Sequence, residues 1–151
     1  MNSQLAIALH IMGFLASKRG EPLTSDTLAD TYGTNPVVLR RVLSKLRRAG
    51  LVETRRGVGG GSVLARDPST INLRQVYEAV TEASEILRRH PGDRPNRVAS
   101  ILAGYVNELY ADAEQALLGT LEAVTIASMD QELRSRFYDE NICADPSAQC
   151  P

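Results

Sequence analysis

The stretch from Thr34 to Arg66, TNPVVLRRVLSKLRRAGLVETRRGVGGGSVLAR, constrains this chain more than any other. It carries eight basic residues (Arg40, Arg41, Lys45, Arg47, Arg48, Arg55, Arg56 and Arg66) and one acidic residue, Glu53. The whole chain has 17 basic and 18 acidic residues, which leaves 9 basic against 17 acidic outside the stretch. A local charge of about +7 in a protein of net charge -1 marks a surface made for a polyanion.

The stretch also has a shape. Asn35 is a helix cap and Pro36 suits the first turn behind it. Leu39, Val42, Leu43 and Leu46 fall at helical spacing and form one apolar face. The opposite face carries Val37, Arg41, Ser44 and Arg48, flanked by Arg40 and Lys45. Gly50 ends the helix. Leu51 to Arg55 and Ser62 to Ala65 read as short strands, with Gly57-Val58-Gly59-Gly60-Gly61 turning the chain between them. A basic helix followed by a basic hairpin is the sequence form of a winged helix-turn-helix.

Upstream, Leu5 to Ala16 (LAIALHIMGFLA) is apolar almost all the way round, so this helix is covered on more than one side, and a subunit contact is expected there. His10 lies within it and reads as an ordinary helix histidine; the sharper alternative is a ligand role. Gly20 and Pro22 break the chain. Thr24 then caps a second helix running to about Tyr32, with Asp26 in its first turn, and Leu28 and Ala29 facing the core. Gly33 supplies the turn into the basic helix, which completes the helix-turn-helix pattern.

Downstream, Asp67-Pro68-Ser69-Thr70 is a loop, and Asn72 with Gln75 forms a capping box ahead of Leu73, Val76, Tyr77 and Val80. Residues 82–94 are polar and turn-rich, a connector. Pro95 restarts the chain as a helix, with Asp93 or Arg94 just outside it. Val98, Ile101, Leu102, Tyr105, Leu109, Ala113, Ala116, Leu117, Leu121 and Val124 then recur every three or four residues. A single-striped helix this long pairs most simply with its own copy by twofold symmetry; the alternative is a cap over its own domain. Thr125 breaks it and caps a shorter helix through Tyr138, and Asn141 to Pro151 is a frayed tail. The expected organisation is a mainly α chain. Residues 1–81 form a winged helix-turn-helix DNA-binding domain, 82–94 the connector, 95–138 a long C-terminal dimerisation helix with a short terminal helix, and 139–151 the tail.

Several function classes fall away. The glycine run lacks the Lys and Ser/Thr that a phosphate-cradling loop needs after its last glycine, since Ser62 and Val63 follow. A dinucleotide loop would need glycine at position 62 and a helix behind it. His10 and His90 sit in separate segments, and no nucleophile has a positioned base, so no enzyme is expected. No apolar run reaches membrane-spanning length, and the N-terminus lacks a basic region followed by a cleavage site, which points to the cytoplasm. Cys143 and Cys150 are neither a disulfide framework nor a zinc spacing, and no cofactor is expected. In an acidic segment they read as idle thiols, with a modest redox input as the alternative.

The residues ALHIMGFLA in the first helix, NPVVLRRVLSKLRRAGLVETRRGVGGGSVLARDP through the wing, INLRQVYEAV, and the long helix from Pro95 carry a resemblance. Over residues 1 to about 138 the chain resembles the IscR/NsrR/CymR family of winged-helix transcriptional regulators. RRGVGGG followed by LARDP is the most specific part. The resemblance implies a homodimer whose long helices cross, each protomer setting its winged helix on half of a palindromic operator. Iron–sulfur members carry three cysteines between the short helix after the wing and the start of the long helix; Ala83 to Val98 has none. His10 matches a first-helix histidine that ligates a cluster in other members. Ser62 stands where an aromatic often follows the triple glycine. The chain is similar to the cluster-free branch.

The expected function is a dimeric, DNA-binding repressor without an iron–sulfur cluster, its small-molecule or redox signal unassigned. Arg40 and Arg41 lie in the first two turns, where the helix dipole disfavours cations, so an outside anion is implied and DNA supplies it. Val37, Arg40 and Arg41 would face base edges. Thr24, Asn35, Ser44 and Lys45 would hold phosphates, and Arg55, Arg56 and the close-approaching Gly60 would set the wing on the backbone or in the minor groove. Two rivals are a protein-binding adaptor with a vestigial winged helix, and a metal- or redox-sensing regulator using His10 and the tail cysteines.

Overall fold

A computed structural model describes residues 3–81 and 96–139. In chain order it holds α1 (Ser3–Ser17), α2 (Ser25–Tyr32), α3 (Pro36–Arg48), β1 (Val52–Arg55), β2 (Gly61–Leu64), a 3-10 turn (Pro68–Thr70), α4 (Leu73–Val80), α5 (Arg97–Glu122) and α6 (Ile126–Asp139). The connector expected over 82–94 and the tail with Cys143 and Cys150 lie outside the described residues.

The helix α1 is the central post. It packs against α2, α3, α4, α6 and β2. Ala8, Ile11, Met12 and Leu15 are buried, and Leu5, Leu9 and Phe14 pack partly against the same core. Its apolarity on all sides is therefore met largely within the chain, because neighbours surround it, with Leu5, Leu9 and Phe14 only partly covered.

The helix-turn-helix forms from local signals. Thr24 Oγ1 accepts from the Thr27 amide at 3.1 Å and starts α2. Gly33 takes a left-handed φ of 66° that most residues avoid, and turns the chain into α3. Asn35 Oδ1 accepts from the Val37 amide at 2.8 Å. Leu39, Val42, Leu43 and Leu46 are buried, as their spacing predicts. At the other end the amides of Gly50 and Leu51 return to the carbonyls of Arg47 and Leu46, both at 3.0 Å. This paired closure ends α3 and buries Leu51 as the chain enters the hairpin.

The strands pair antiparallel, from Val52 opposite Leu64 to Arg55 opposite Gly61. The second strand thus begins one residue before the expected Ser62. Leu23 joins its outer edge: its amide donates to the Ser62 carbonyl at 3.0 Å, and the Ser62 amide returns to Leu23 at 2.7 Å. This contact explains part of the triple glycine. A Cβ on Gly61 would lie 2.6 Å from the Leu23 carbonyl carbon, and one on Gly60 would press on the Arg55 carbonyl oxygen. The glycines let the hairpin fold against itself and against the α1–α2 loop.

The capping box at α4 is present: Asn72 Oδ1 accepts from the Gln75 amide at 2.9 Å, and Gln75 Oε1 from the Asn72 amide at 3.2 Å. The corner between α5 and α6 is stitched to the start of α4. The Leu73 amide donates to the Val124 carbonyl at 2.9 Å and the Ile126 amide to the Ile71 carbonyl at 2.8 Å. Ile126 is fully buried in the core that α1, α3 and α4 build, so that core continues into the C-terminal helices.

The cap of α5 is Asn96, whose Oδ1 accepts from the Val98 amide at 2.9 Å; the helix starts at Arg97, later than the Pro95 start expected. Its 26 residues do not form the single stripe read from the spacing. Ala103 is buried, and Leu121 packs partly against the core. Val98, Ile101, Leu102, Tyr105 and Leu109 are exposed at 72%, 66%, 60%, 58% and 47%. At about 100° per residue these five cluster on one side, more than 90° away from Ala103 and Leu121. Spacings of three and four cannot separate two apolar faces on one long helix; packing against α4 does.

Candidate nucleic-acid interface

The outer face of α3 and the hairpin beside it hold most of the expected contact residues. Val37 is 69% exposed in the first turn. Arg41, one turn on, is exposed and makes no hydrogen bond or ion pair among the described residues. Arg48 is exposed at the helix end, and Ser44 lies half-buried between them. Thr24 and Asn35 stand at the N-termini of α2 and α3, where their side-chain oxygens are engaged in capping. Free backbone amides at those two ends are the groups that phosphates meet at helix N-termini.

Arg40 behaves differently from Arg41. Its Nη2 donates to Asp26 Oδ1 at 2.7 Å and its Nε to Ser25 Oγ at 3.2 Å. The expectation that both arginines lack a protein counter-charge is corrected for Arg40: the first turn of α2 supplies one. That turn reaches α3 because the Gly33 bend lays the two helices against each other. Ser25 and Asp26 were not singled out for this role, since a partner 14 residues away leaves no trace in helical periodicity.

Lys45 is also placed otherwise than expected. Its Nζ donates to Gln4 Oε1 at 2.9 Å and to the Val80 carbonyl at 3.0 Å. The half-buried ammonium thereby closes the end of α4 against α1, and is turned away from the Arg41 face. Arg47 braces the wing, its Nη1 donating to Thr54 Oγ1 at 2.9 Å. Arg55 donates to the Gly20 carbonyl at 3.2 Å, so it ties the hairpin to the α1–α2 loop. Arg56 and Val58 project from the turn of the hairpin, both exposed. Gly60 does allow a close approach, but the groups approached are Arg55 and Gly57 of its own hairpin.

His10 is exposed on α1. Its Nδ1 lies 2.8 Å from the Ala6 carbonyl, which makes that nitrogen a donor, and its ring centroid is 4.4 Å from that of Tyr32. Among the described residues no three His, Cys, Asp or Glu side chains come together as metal donors.

Comparison with known proteins now decides the family. Residues 1–132 match the Rrf2 family, described as iron-dependent transcriptional regulators. This chain belongs to the Rrf2 family. It is 32% identical over 134 residues to YwnA of Bacillus subtilis strain 168, a candidate HTH-type transcriptional regulator, covering 88% of this chain and 98% of that one. It is 30% identical over 123 residues to the HTH-type transcriptional regulator NsrR of the same organism, covering 81% and 84%. Among solved structures it is similar to CymR, the global cysteine regulator of B. subtilis, with a TM-score of 0.69 at 25% identity over 87% of this chain and 96% of that one. These Rrf2 relatives are transcriptional regulators and not enzymes, and the family's work implies DNA as partner. No helix among the described residues is long and apolar enough to cross a membrane.

Proposed function

We propose that this Rrf2 protein is a cytoplasmic, homodimeric repressor that reads a palindromic operator and carries no iron–sulfur cluster. The observation that carries the reading is the division of α3: Leu39, Val42, Leu43 and Leu46 are buried, while Val37 and Arg41 stand outward with no internal partner for the arginine. Arg41 and Val37 would read base edges, an arginine forked onto guanine being the commonest specific contact. Arg40 would join them by leaving Asp26. Arg48, Arg56 and the capped N-termini at Thr24 and Asn35 would hold the backbone. The exposed apolar stripe of α5 supports the homodimer, because a second copy would cover it and set two winged helices on two half-sites. A dimer seated over a promoter blocks it, so repression is the direct outcome.

The donor set does not fit a resident cluster. Iron–sulfur clusters take mostly cysteine thiolates. This chain has only two, Cys143 and Cys150, and none between α4 and α5. His10, the one further candidate donor, has no cysteine, aspartate or glutamate pair gathered with it among the described residues. Absorbance of freshly purified protein in the visible, with iron and sulfide, would overturn the cluster-free part.

The test of the whole reading is a pull-down of genomic fragments, followed by anisotropy titrations of the recovered site against salt. If about four basic side chains per protomer meet phosphates, the slope of log K against log salt is near -7. A slope shallower than about -3, or equal affinity for random DNA, would refute it.

A further inference from the structure

A second basic constellation lies where no DNA contact was needed. The C-terminal end of α1, the loop behind it, and both wing strands enclose an open cleft of about 200 Å³. Its floor is apolar, formed by Leu15, Ala16, Val63, Leu64 and Pro68. Three arginines line it: Arg19, Arg55 and Arg66. No carboxylate does. The acids nearest in sequence are Glu21, Glu53 and Asp67. None of them forms an ion pair with these arginines, and Asp67 Oδ1 is occupied by the amide of Ser69 at 2.8 Å. Three arginines around an apolar floor, none of them in an ion pair among the described residues and Arg55 held by the Gly20 carbonyl, suit an anion with an apolar end.

Two further observations bear on this cleft. The strand register puts Arg55 and Val63 on one side of the hairpin, with Glu53 opposite Val63, and puts Leu64 on the other side with Thr54. Thr54, on the other side, is the residue that Arg47 of α3 grips. Arg55 therefore lies on the side of the hairpin away from the Arg47 contact. Arg19 also holds a φ of 49°, the only positive φ among described residues other than glycine. That conformation is uncommon for a residue with a side chain, and it turns the chain at the cleft instead of continuing α1.

We propose that this cleft is a binding site for a small organic anion: a carboxylate head held by Arg19, Arg55 and Arg66, with a short aliphatic body on Leu15, Val63 and Leu64. The volume is below the roughly 300–1,000 Å³ of sites for drug-sized ligands, so the ligand is metabolite-sized. Because α1, the α1–α2 loop and both strands all contribute, an occupied cleft would fix the angle of the wing, which makes it an input site for the regulator.

The test is calorimetric titration of the full chain with sodium hexanoate, with hexanol, inorganic phosphate and sodium chloride at matched ionic strength as comparators. Hexanoate is expected to bind saturably and at least tenfold tighter than either hexanol or phosphate. Arg66→Gln and Arg19→Gly should each weaken it at least tenfold. Glycine suits the positive φ at position 19, so that variant loses the cation and keeps the fold, which a thermal melt checks. The same two variants are titrated with a random-sequence duplex, whose affinity should change less than threefold. Absence of saturable hexanoate binding, equal binding of hexanol, or binding untouched by both variants overturns the proposal. So does a large loss of duplex affinity without hexanoate binding, which would assign these arginines to the DNA backbone.

Discussion

Replacing Asp26 with alanine should move stability and DNA affinity in opposite directions. In the free protein Asp26 holds Arg40 at 2.7 Å, with the two side chains 69% and 56% exposed. An exposed pair of this kind contributes at most about 1 kcal/mol, and an acid in the first turn of a helix adds about 0.3–1 kcal/mol through the dipole. Asp26→Ala should therefore destabilise the fold by about 1 kcal/mol, roughly 2–4 °C in melting temperature. DNA binding should nonetheless tighten. The variant frees one guanidinium per protomer on the proposed contact face and removes an anion from it. One further neutralised phosphate steepens the salt slope by about 0.9, which at about 0.1 M salt corresponds to as much as about eightfold per protomer. Fluorescence anisotropy on operator and random duplexes from about 50 to about 300 mM salt reads this directly. The double variant Asp26→Ala/Arg40→Ala should lose the gain. An affinity that falls with stability, at unchanged slope, would show that Arg40 belongs to the fold alone.

Gly61→Ala should cost about 1–3 kcal/mol in a denaturant melt, because its Cβ would meet the Leu23 backbone, which has no room to move without parting from Ser62; an unchanged melt would refute that tightness. Leu102→Asp with Leu109→Asp should convert a dimer to a monomer in light scattering and abolish cooperative operator binding, since each buried leucine supplies about 1.5–3 kcal/mol and a buried carboxylate opposes it. A variant that stays dimeric would place the seam elsewhere. The Asp67 carboxyl should titrate below the usual aspartate range, because the Ser69 hydroxyl and then the Ser69 amide donate to its ionised form. A carboxyl so lowered contributes stability above its unfolded-state pKa and loses it as pH falls through the folded one. Carbon-detected NMR should show that midpoint rising in Ser69→Ala.

What this chain encodes locally was legible from its sequence. Thr24, Asn35, Asn72 and Gln75 cap their helices, Gly33 takes its left-handed turn, and the four apolar residues of α3 are buried. Each depends on groups within a turn or two, so spacing alone carries the signal. The wing was legible for a similar reason, since a glycine-rich turn between two short β-prone segments has few other outcomes. Tertiary structure decided the remainder. It gave Arg40 to Asp26 and turned Lys45 inward to Gln4 and Val80, across sequence separations of 14, 41 and 35 residues. It surrounded α1 with the rest of the chain, and split the apolar positions of α5 into an inner face and an outer one. It also brought Arg19, Arg55 and Arg66 to one cleft. A long charged side chain can reach any of several partners, and an apolar residue can face any neighbour. Only the packing of whole elements selects among them, which is why the helices could be read from the sequence and the commitments of their arginines and lysine could not.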